Sequence, residues 1–363
     1  MLGVVDADTH IAECEGIWNY IDKEMYPRRP VLVSIPDDTL YDASNAFWLI
    51  DGNIFPKPSG KGGFRLVTPS AAKSQSSRGD ITIASREITD PKLRLADMDR
   101  LGIQIQVIYP TLFLVYLTDD AALEVALCRA YNKFLAHIWS ADEERLRWVA
   151  VLPLRSIEAS LEEMRTAKEN GAAGVFFRGL EGNLPLDDPY FFPVYKEAER
   201  LNLPICIHTG SGAPALTELF NLERNHTFAH GRALPLFAFR DLVHNGIPEL
   251  FPKLRFGFIE ASAGWAPFLV HILRRLFGSR WKFSNSQDLF REYRLFVACE
   301  ADEDIPYLAN CIGDDNLIIG SDYGHNDPSA EPKLLETLAE RGDLSAGLSD
   351  SILRTNPRVL YGM

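Results

Sequence analysis

The stretch Val4-Val5-Asp6-Ala7-Asp8-Thr9-His10 begins with apolar residues and then places Asp8 and His10 two residues apart. On an extended strand, residues i and i+2 point the same way. A carboxylate and an imidazole would converge on one point there, a donor pair that suits a divalent metal. Seven further strand-like runs follow, at 103–109, 147–152, 173–178, 204–208, 255–260, 295–300 and 317–321, most of them rich in Val, Ile and Phe. Nearly continuous apolar runs mark strands buried on both faces of a parallel sheet. Helical stretches alternate with them. In 122–139, Leu123, Ala126, Leu127, Ala130, Phe134 and Ile138 recur at helical spacing, and Gly171 can stop the charged helix over 161–170. Residues 92–101, 193–202, 267–277, 303–311, 331–341 and 349–361 read similarly. Eight strands, each followed by a helix, is the arithmetic of an α/β fold of the (β/α)8 TIM-barrel type, with a doubly wound sheet as the rival.

One region breaks the alternation. Residues 28–91 hold Pro30, Pro36, Pro56, Pro58, Gly60, Gly62 and Gly63, and a polar run from Ser70 to Asp80. Within it, Phe47 to Phe55 can form a hairpin around Asp51-Gly52. A structureless loop of that length inside a compact domain is improbable unless it is functional. The reading is a cap or lid inserted after strand one, within a single domain spanning 1–363; a disordered insertion is the alternative.

Composition bounds the function. The chain has 363 residues, 46% hydrophobic and 24% charged, with a formal net charge of -13. That balance is a globular enzyme's and argues against nucleic acid, which needs a basic face. An anionic substrate would need local positive charge from a metal or from arginines. The five cysteines have no CxxC spacing, so neither a disulfide framework nor a zinc–thiolate site is expected, and a reducing cytoplasm fits. No apolar run is long enough to span a bilayer, and no signal peptide is indicated.

Chemistry in barrel enzymes gathers where strands end. Strand one ends in Asp8 and His10, strand two in Tyr109 and Thr111, strand four in Arg178, and strand five in His208. Strand six ends in Glu260, strand seven in Glu300, and strand eight in Asp322, with His325 three residues on. A lone strand-end His is more often structural than a ligand, and a lone Asp is more often a turn or cap. Asp8, His10, His208 and Asp322 at one mouth are explained together by one bound metal. Arg178 and Arg232 could receive a substrate carboxylate through their planar guanidinium forks. His226 and His230 have helical spacing without the HExxH pattern, and His137, His244 and His271 read as peripheral.

The pattern resembles the amidohydrolase superfamily, in the amidohydrolase-related branch that includes aminocarboxymuconate semialdehyde decarboxylase and γ-resorcylate decarboxylase. The resemblance rests on Asp8-Thr9-His10, on the His of ICIHTG (His208) and the Asp of GSDYGH (Asp322), and on Arg94-Leu-Ala-Asp-Met-Asp99, FIEASAGWAP (258–267) and Asn356-Pro357 with Leu360-Tyr361-Gly362. It implies a barrel enzyme with one divalent ion, Zn or Mn foremost with Mg or Fe as further options, a small anionic organic substrate and a homo-oligomer. Two positions depart from the branch. Asp8 stands where His or Glu is commoner, giving a shorter reach and a harder site. Glu260 stands where its well-known decarboxylases carry a catalytic His. It could be a base, a substrate anchor, a partner of His325, or half of a salt bridge to a mouth arginine.

A bound divalent ion can lower the pKa of water from about 15.7 to near 7, roughly 12 kcal/mol in favour of hydroxide. The first expectation is non-oxidative decarboxylation of a small aromatic or conjugated acid, with Asp322 delivering the proton and Arg178 or His325 steadying charge. Arg178, Tyr109 and Arg232 are the candidate substrate-binding residues. The second is hydrolysis of an amide, ester, lactone or activated C–C bond, with Asp322 as general base. The third is a binding barrel without turnover, which predicts no tightly held metal.

Overall fold

In a computed structural model, eight parallel strands follow one another in chain order around a single sheet: β1 (Val5–Ile11), β2 (Ile105–Pro110), β3 (Leu146–Val151), β4 (Ala172–Arg178), β5 (Ile205–His208), β6 (Phe256–Ile259), β7 (Leu295–Cys299) and β8 (Leu317–Ile319). The structure describes residues 2–39, 41–56, 65–75, 81–214, 232–326 and 329–363. Each strand falls within or across one of the runs expected from sequence. Every residue of β5, β6, β7 and β8 is buried, as strands covered on both faces require.

Closure distinguishes a barrel from the doubly wound alternative. β8 meets β1 through Asp322 N–H donating to the Asp8 carbonyl (3.0 Å), His10 N–H donating to the Tyr323 carbonyl (2.6 Å) and a parallel bridge between Thr9 and Tyr323. Gly320 makes this approach possible, since a Cβ there would lie 2.4 Å from Asp8 Cβ and 2.6 Å from the Asp8 nitrogen. The sheet is a nearly closed (β/α)8 TIM barrel.

The helices obey local rules. Ala121–Trp139 starts where the Asp120 carboxylate accepts from Ala122 and Leu123 N–H, and it buries all six residues of the expected stripe. Pro91–Leu101 starts on an Asp90 cap with Pro91 in its first turn and stops at Gly102, whose φ is 74°. The C-terminal stretch expected as one helix is three segments: Ala346–Asp350, a π-helical turn Ser351–Thr355, and Asn356–Tyr361. Pro357 has no N–H and would clash with the carbonyl four residues back, so the widened turn falls just before it.

The inserted region contains a three-stranded antiparallel sheet: Val31–Ser34, Ala46–Ile50 and Asn53–Phe55. The turn lies at Asp51-Gly52, with φ of 49° and 77°, the positive pair a tight hairpin needs. Asp51 accepts from the Thr118 hydroxyl (2.6 Å) and from Arg28 (2.7 Å), which ties the turn to the segment following β2. Trp48 is buried edge-on to Trp18 at 6.1 Å. Among the described residues no helix is long and apolar enough to cross a membrane.

Candidate metal centre

β1 delivers Asp8 and His10 to the barrel interior, where both are buried. His10 Nδ1 lies 3.0 Å from the Pro110 carbonyl, and His208 Nδ1 lies 2.9 Å from the Thr209 carbonyl. A carbonyl only accepts, so Nδ1 carries the proton in each ring and Nε2 presents its lone pair inward. Those lone pairs meet oxygens. His10 Nε2 lies 3.4 Å from Asp8 Oδ1, 3.5 Å from Glu260 Oε2 and 3.5 Å from Asp322 Oδ1. His208 Nε2 lies 3.4 Å from Asp8 Oδ1 and 3.2 Å from Glu260 Oε2. Lone pairs facing lone pairs repel unless a proton or a metal cation stands between them.

The electrostatics say the same. Asp8 and Glu260 bring oxygens within 4.8 Å of each other, a repulsion of about 3.5 kcal/mol at an effective dielectric near 20. Burial would push His10 down, but the Asp8 and Glu260 carboxylates outweigh it and lift its pKa to about 9. Burial would raise the Asp8 carboxyl, but His208 and His10 hold it well below the usual carboxylate range. A space that retains protons this strongly favours positive charge. His10 Nε2 is fully buried without a hydrogen-bond partner, an orphan that a divalent ion would satisfy. These residues fit a divalent metal.

Strand ends aim the remaining groups. Glu260 and Asp322 have φ of 52° and 51°, a left-handed conformation rare outside glycine and held where surroundings demand it. His325 stacks on His10 with ring centroids 3.6 Å apart. Its Nε2 lies 2.9 Å from the Thr111 hydroxyl, which donates its own proton to the Ile11 carbonyl at 2.7 Å. Thr111 therefore accepts from His325 Nε2–H, and His325 Nδ1 faces Asp322 Oδ1 at 2.8 Å. His10, Glu260, Asp322 and His325 form a second group of mutually close donors beside Asp8, His10, His208 and Glu260.

Buried polar residues hold these groups in place. Asp6 accepts from Ser321 N–H (2.7 Å) and the Ser321 hydroxyl (2.6 Å), immediately before Asp322, and burial lifts its pKa to about 6. Arg94 donates to Gln106 (2.6 Å) and the His10 carbonyl (3.1 Å), with its guanidinium 4.0 Å from the centre of the Tyr323 ring. Asp97 accepts from the Tyr323 hydroxyl (2.6 Å) and Ser85 (2.8 Å). Glu13 accepts from Thr111 and Leu112 N–H at 3.0 and 2.7 Å, and burial pushes its pKa up to about 7. Sequence reasoning overlooks Asp6 and Glu13. For Asp6 the signal was present, since Asp6, Asp8 and His10 share one strand parity.

The expected substrate contacts lie in different surroundings. Tyr109 is fully buried, and its hydroxyl pairs with Tyr361 at 2.7 Å. Arg178 forms an ion pair with Glu181 through Nε and Nη2, while Nη1 donates to the Phe113 and Val115 carbonyls. Its donors are thus directed at neighbouring chain. Arg232 stands at the mouth, donating to Ser262 (3.1 Å), Glu300 (2.9 Å) and Ser329. His226 and His230 lie outside the described residues.

The 2-amino-3-carboxymuconate-6-semialdehyde decarboxylase of Dictyostelium discoideum is 23% identical over 248 residues, 64% of this chain and 66% of that protein. The γ-resorcylate decarboxylase of Rhizobium sp. is 26% identical over 178 residues, 46% of this chain and 54% of that protein. The 2-keto-4-carboxy-3-hexenedioate hydratase of Sphingobium sp. is 26% identical, covering 72% of this chain and 76% of that protein. The chain thus spans two thirds or less of the first two relatives. A Polaromonas dihydroxybenzoic acid decarboxylase, solved with manganese and 2-nitroresorcinol, shares the fold at a TM-score of 0.64 and 17% identity, covering 100% of this chain and 97% of that one. The amidohydrolase family profile matches residues 5–363, and the chain belongs to the amidohydrolase family.

Proposed function

We propose that this protein is a divalent-metal-dependent, non-oxidative decarboxylase of small aromatic or conjugated carboxylic acids. The observation that carries the reading is the convergence of Asp8, His10, His208, Glu260, Asp322 and His325 on one buried space at the strand ends. The decarboxylases among its relatives support the reaction class, and the manganese in one structural neighbour favours Mn among first-row divalent ions, with Zn the other option.

Asp8, His10 and His208 would hold the ion together with a strand-end carboxylate. When bound, the ion would supply positive charge that anchors the substrate carboxylate and an adjacent hydroxyl or carbonyl. The chain's own residues handle the proton. Thr111 orients the His325 ring, and the Asp322–His325 pair, 2.8 Å apart, holds one proton between carboxylate and imidazole. That proton passes to the substrate carbon that bears the carboxylate, forming a C–H bond. The C–C bond then breaks, its electron pair restores the conjugated system, and CO2 leaves. Arg232, at the mouth, receives a second anionic or hydroxyl group of the substrate. The inserted sheet covers the mouth as a lid and limits substrate size.

The test is CO2 release from a panel of hydroxybenzoates and muconate-like acids, with and without a chelator. Metal-dependent CO2 release is expected, and none from any acid would refute the reading. Glu260 in place of the family His, and a hydratase among the relatives, favour a second reading in which water is the reactant. Solvent ¹⁸O in the product would establish that alternative, and CO2 as the sole cleavage product would eliminate it.

A further inference from the structure

We infer that Glu260 is a direct ligand of the metal and closes its shell with Asp8, His10 and His208, which leaves Asp322 to its proton-sharing partner His325. The inference rests on the metal-dependent reading above and departs from the strand-eight Asp as fourth ligand. The donor atoms that lie within 4.8 Å of one another around both inward-facing histidines belong to Asp8, His10, His208 and Glu260, whereas Asp322 groups with His10, Glu260 and His325. Glu260 Oε2 contacts both lone pairs, at 3.2 Å from His208 Nε2 and 3.5 Å from His10 Nε2. Asp322 Oδ1 is 3.5 Å from His10 Nε2 but 2.8 Å from His325 Nδ1. The sign that an ion belongs here at all is His10 Nε2, which is fully buried, has no hydrogen-bond partner and faces Asp8, Glu260 and Asp322 at 3.4–3.5 Å; the contact of Glu260 with His208 as well is what separates it from Asp322.

Reach explains the exchange. Aspartate at position 8 is shorter than the His or Glu that commonly stands there, and Glu260 supplies the missing length from the end of β6. Two imidazoles and two carboxylates balance a divalent charge and form a harder site than three imidazoles would. The proton donor that the family draws from a strand-six histidine falls to His325, which stacks on His10 and faces Asp322.

Metal affinity, read by competition with a chromogenic chelator, separates the alternatives, with the visible spectrum of the Co²⁺-substituted protein as a second readout. Glu260→Gln should lose more than ~100-fold in affinity, beyond the roughly 10–100-fold typical of a residue that only supports a ligand, and should shift the Co²⁺ bands. Asp322→Asn should stay within about 100-fold with unchanged bands. A smaller loss in Glu260→Gln with wild-type bands, or a larger loss in Asp322→Asn, would overturn the inference. Circular dichroism of the metal-free proteins checks folding; if Glu260→Gln does not fold, Glu260→Asp, which keeps the charge but not the reach, should show the same shift in the Co²⁺ bands. Wild-type protein that binds no metal would refute the metal-dependent reading itself, whereas metal binding indifferent to Glu260 would refute this assignment alone.

Discussion

Gly320→Ala tests the seam that closes the barrel and sets the candidate metal ligands. The added methyl would stand 2.4 Å from Asp8 Cβ, 2.6 Å from Asp8 N and 2.8 Å from Asp8 Cα. Carbon contacts settle at about 3.5–4.0 Å, so β1 and β8 must part by roughly 1 Å. The obstacle is largely backbone and cannot swing aside. Overpacking of this kind costs about 1–3 kcal/mol. The seam also carries the Asp322–Asp8, His10–Tyr323 and two Ser321–Asp6 hydrogen bonds, which places the loss near the upper end, about 3 kcal/mol. With ~2.1 cal/mol/K of unfolding entropy per residue, 363 residues give roughly 0.8 kcal/mol/K. The melting temperature should fall by about 4 °C, and a ligand shift of about 1 Å should cost roughly 100-fold in turnover. Calorimetry and metal-loaded rate assays measure both. Gly347→Ala is the control, since nothing lies within 4 Å of its added methyl. A Gly320→Ala protein that melts and turns over like wild type would refute the close-approach reasoning.

Further outcomes follow from neighbouring groups. His325→Asn should lower kcat by about 10²–10⁴-fold with metal content retained; loss of metal together with activity would instead make His325 a ligand. Arg94→Lys keeps the charge but loses the fork that reaches Gln106 and the His10 carbonyl, and denaturant unfolding should show a loss of about 2–4 kcal/mol. Arg232→Ala should raise KM for carboxylate substrates with metal affinity unchanged, and an unchanged KM would remove it from the substrate site. Glu13 has a folded pKa raised from 4.5 to about 7 by burial, so the stability its carboxyl contributes is fully present below pH 4.5 and lost as pH rises through 7. Between those limits the stability of Glu13→Gln relative to wild type should improve by about 3 kcal/mol, and a pH-independent difference in denaturant unfolding would contradict it.

Much of the fold was legible because its signals are local. Apolar runs bounded by Gly, Pro and capping residues mark all eight strands, and the Asp51-Gly52 turn marks its hairpin. The π-helical turn before Pro357 was not legible, because periodicity alone does not reveal a one-residue slippage in backbone pairing. The site divides in the same way. Asp8, His10, His208, Glu260 and Asp322 are visible as polar ends of apolar strands. Which carboxylate faces which imidazole is not, because it depends on the left-handed backbone at positions 260 and 322 and on how far β8 slides against β1. At Arg178 the strand-end position is legible, whereas its ion pair with Glu181, three residues on, is not. The clamp of Asp6 on Ser321 spans 315 residues of sequence and has no local signature beyond strand parity.

Elemental analysis of the purified protein tests the metal centre most directly, with wild type compared against a His10→Asn/His208→Asn double variant whose metal-free fold is verified. Close to one divalent ion per chain in wild type and almost none in the double variant is the predicted result. Wild-type protein without stoichiometric metal, or a double variant that retains it, would contradict a metal centre at these strand ends.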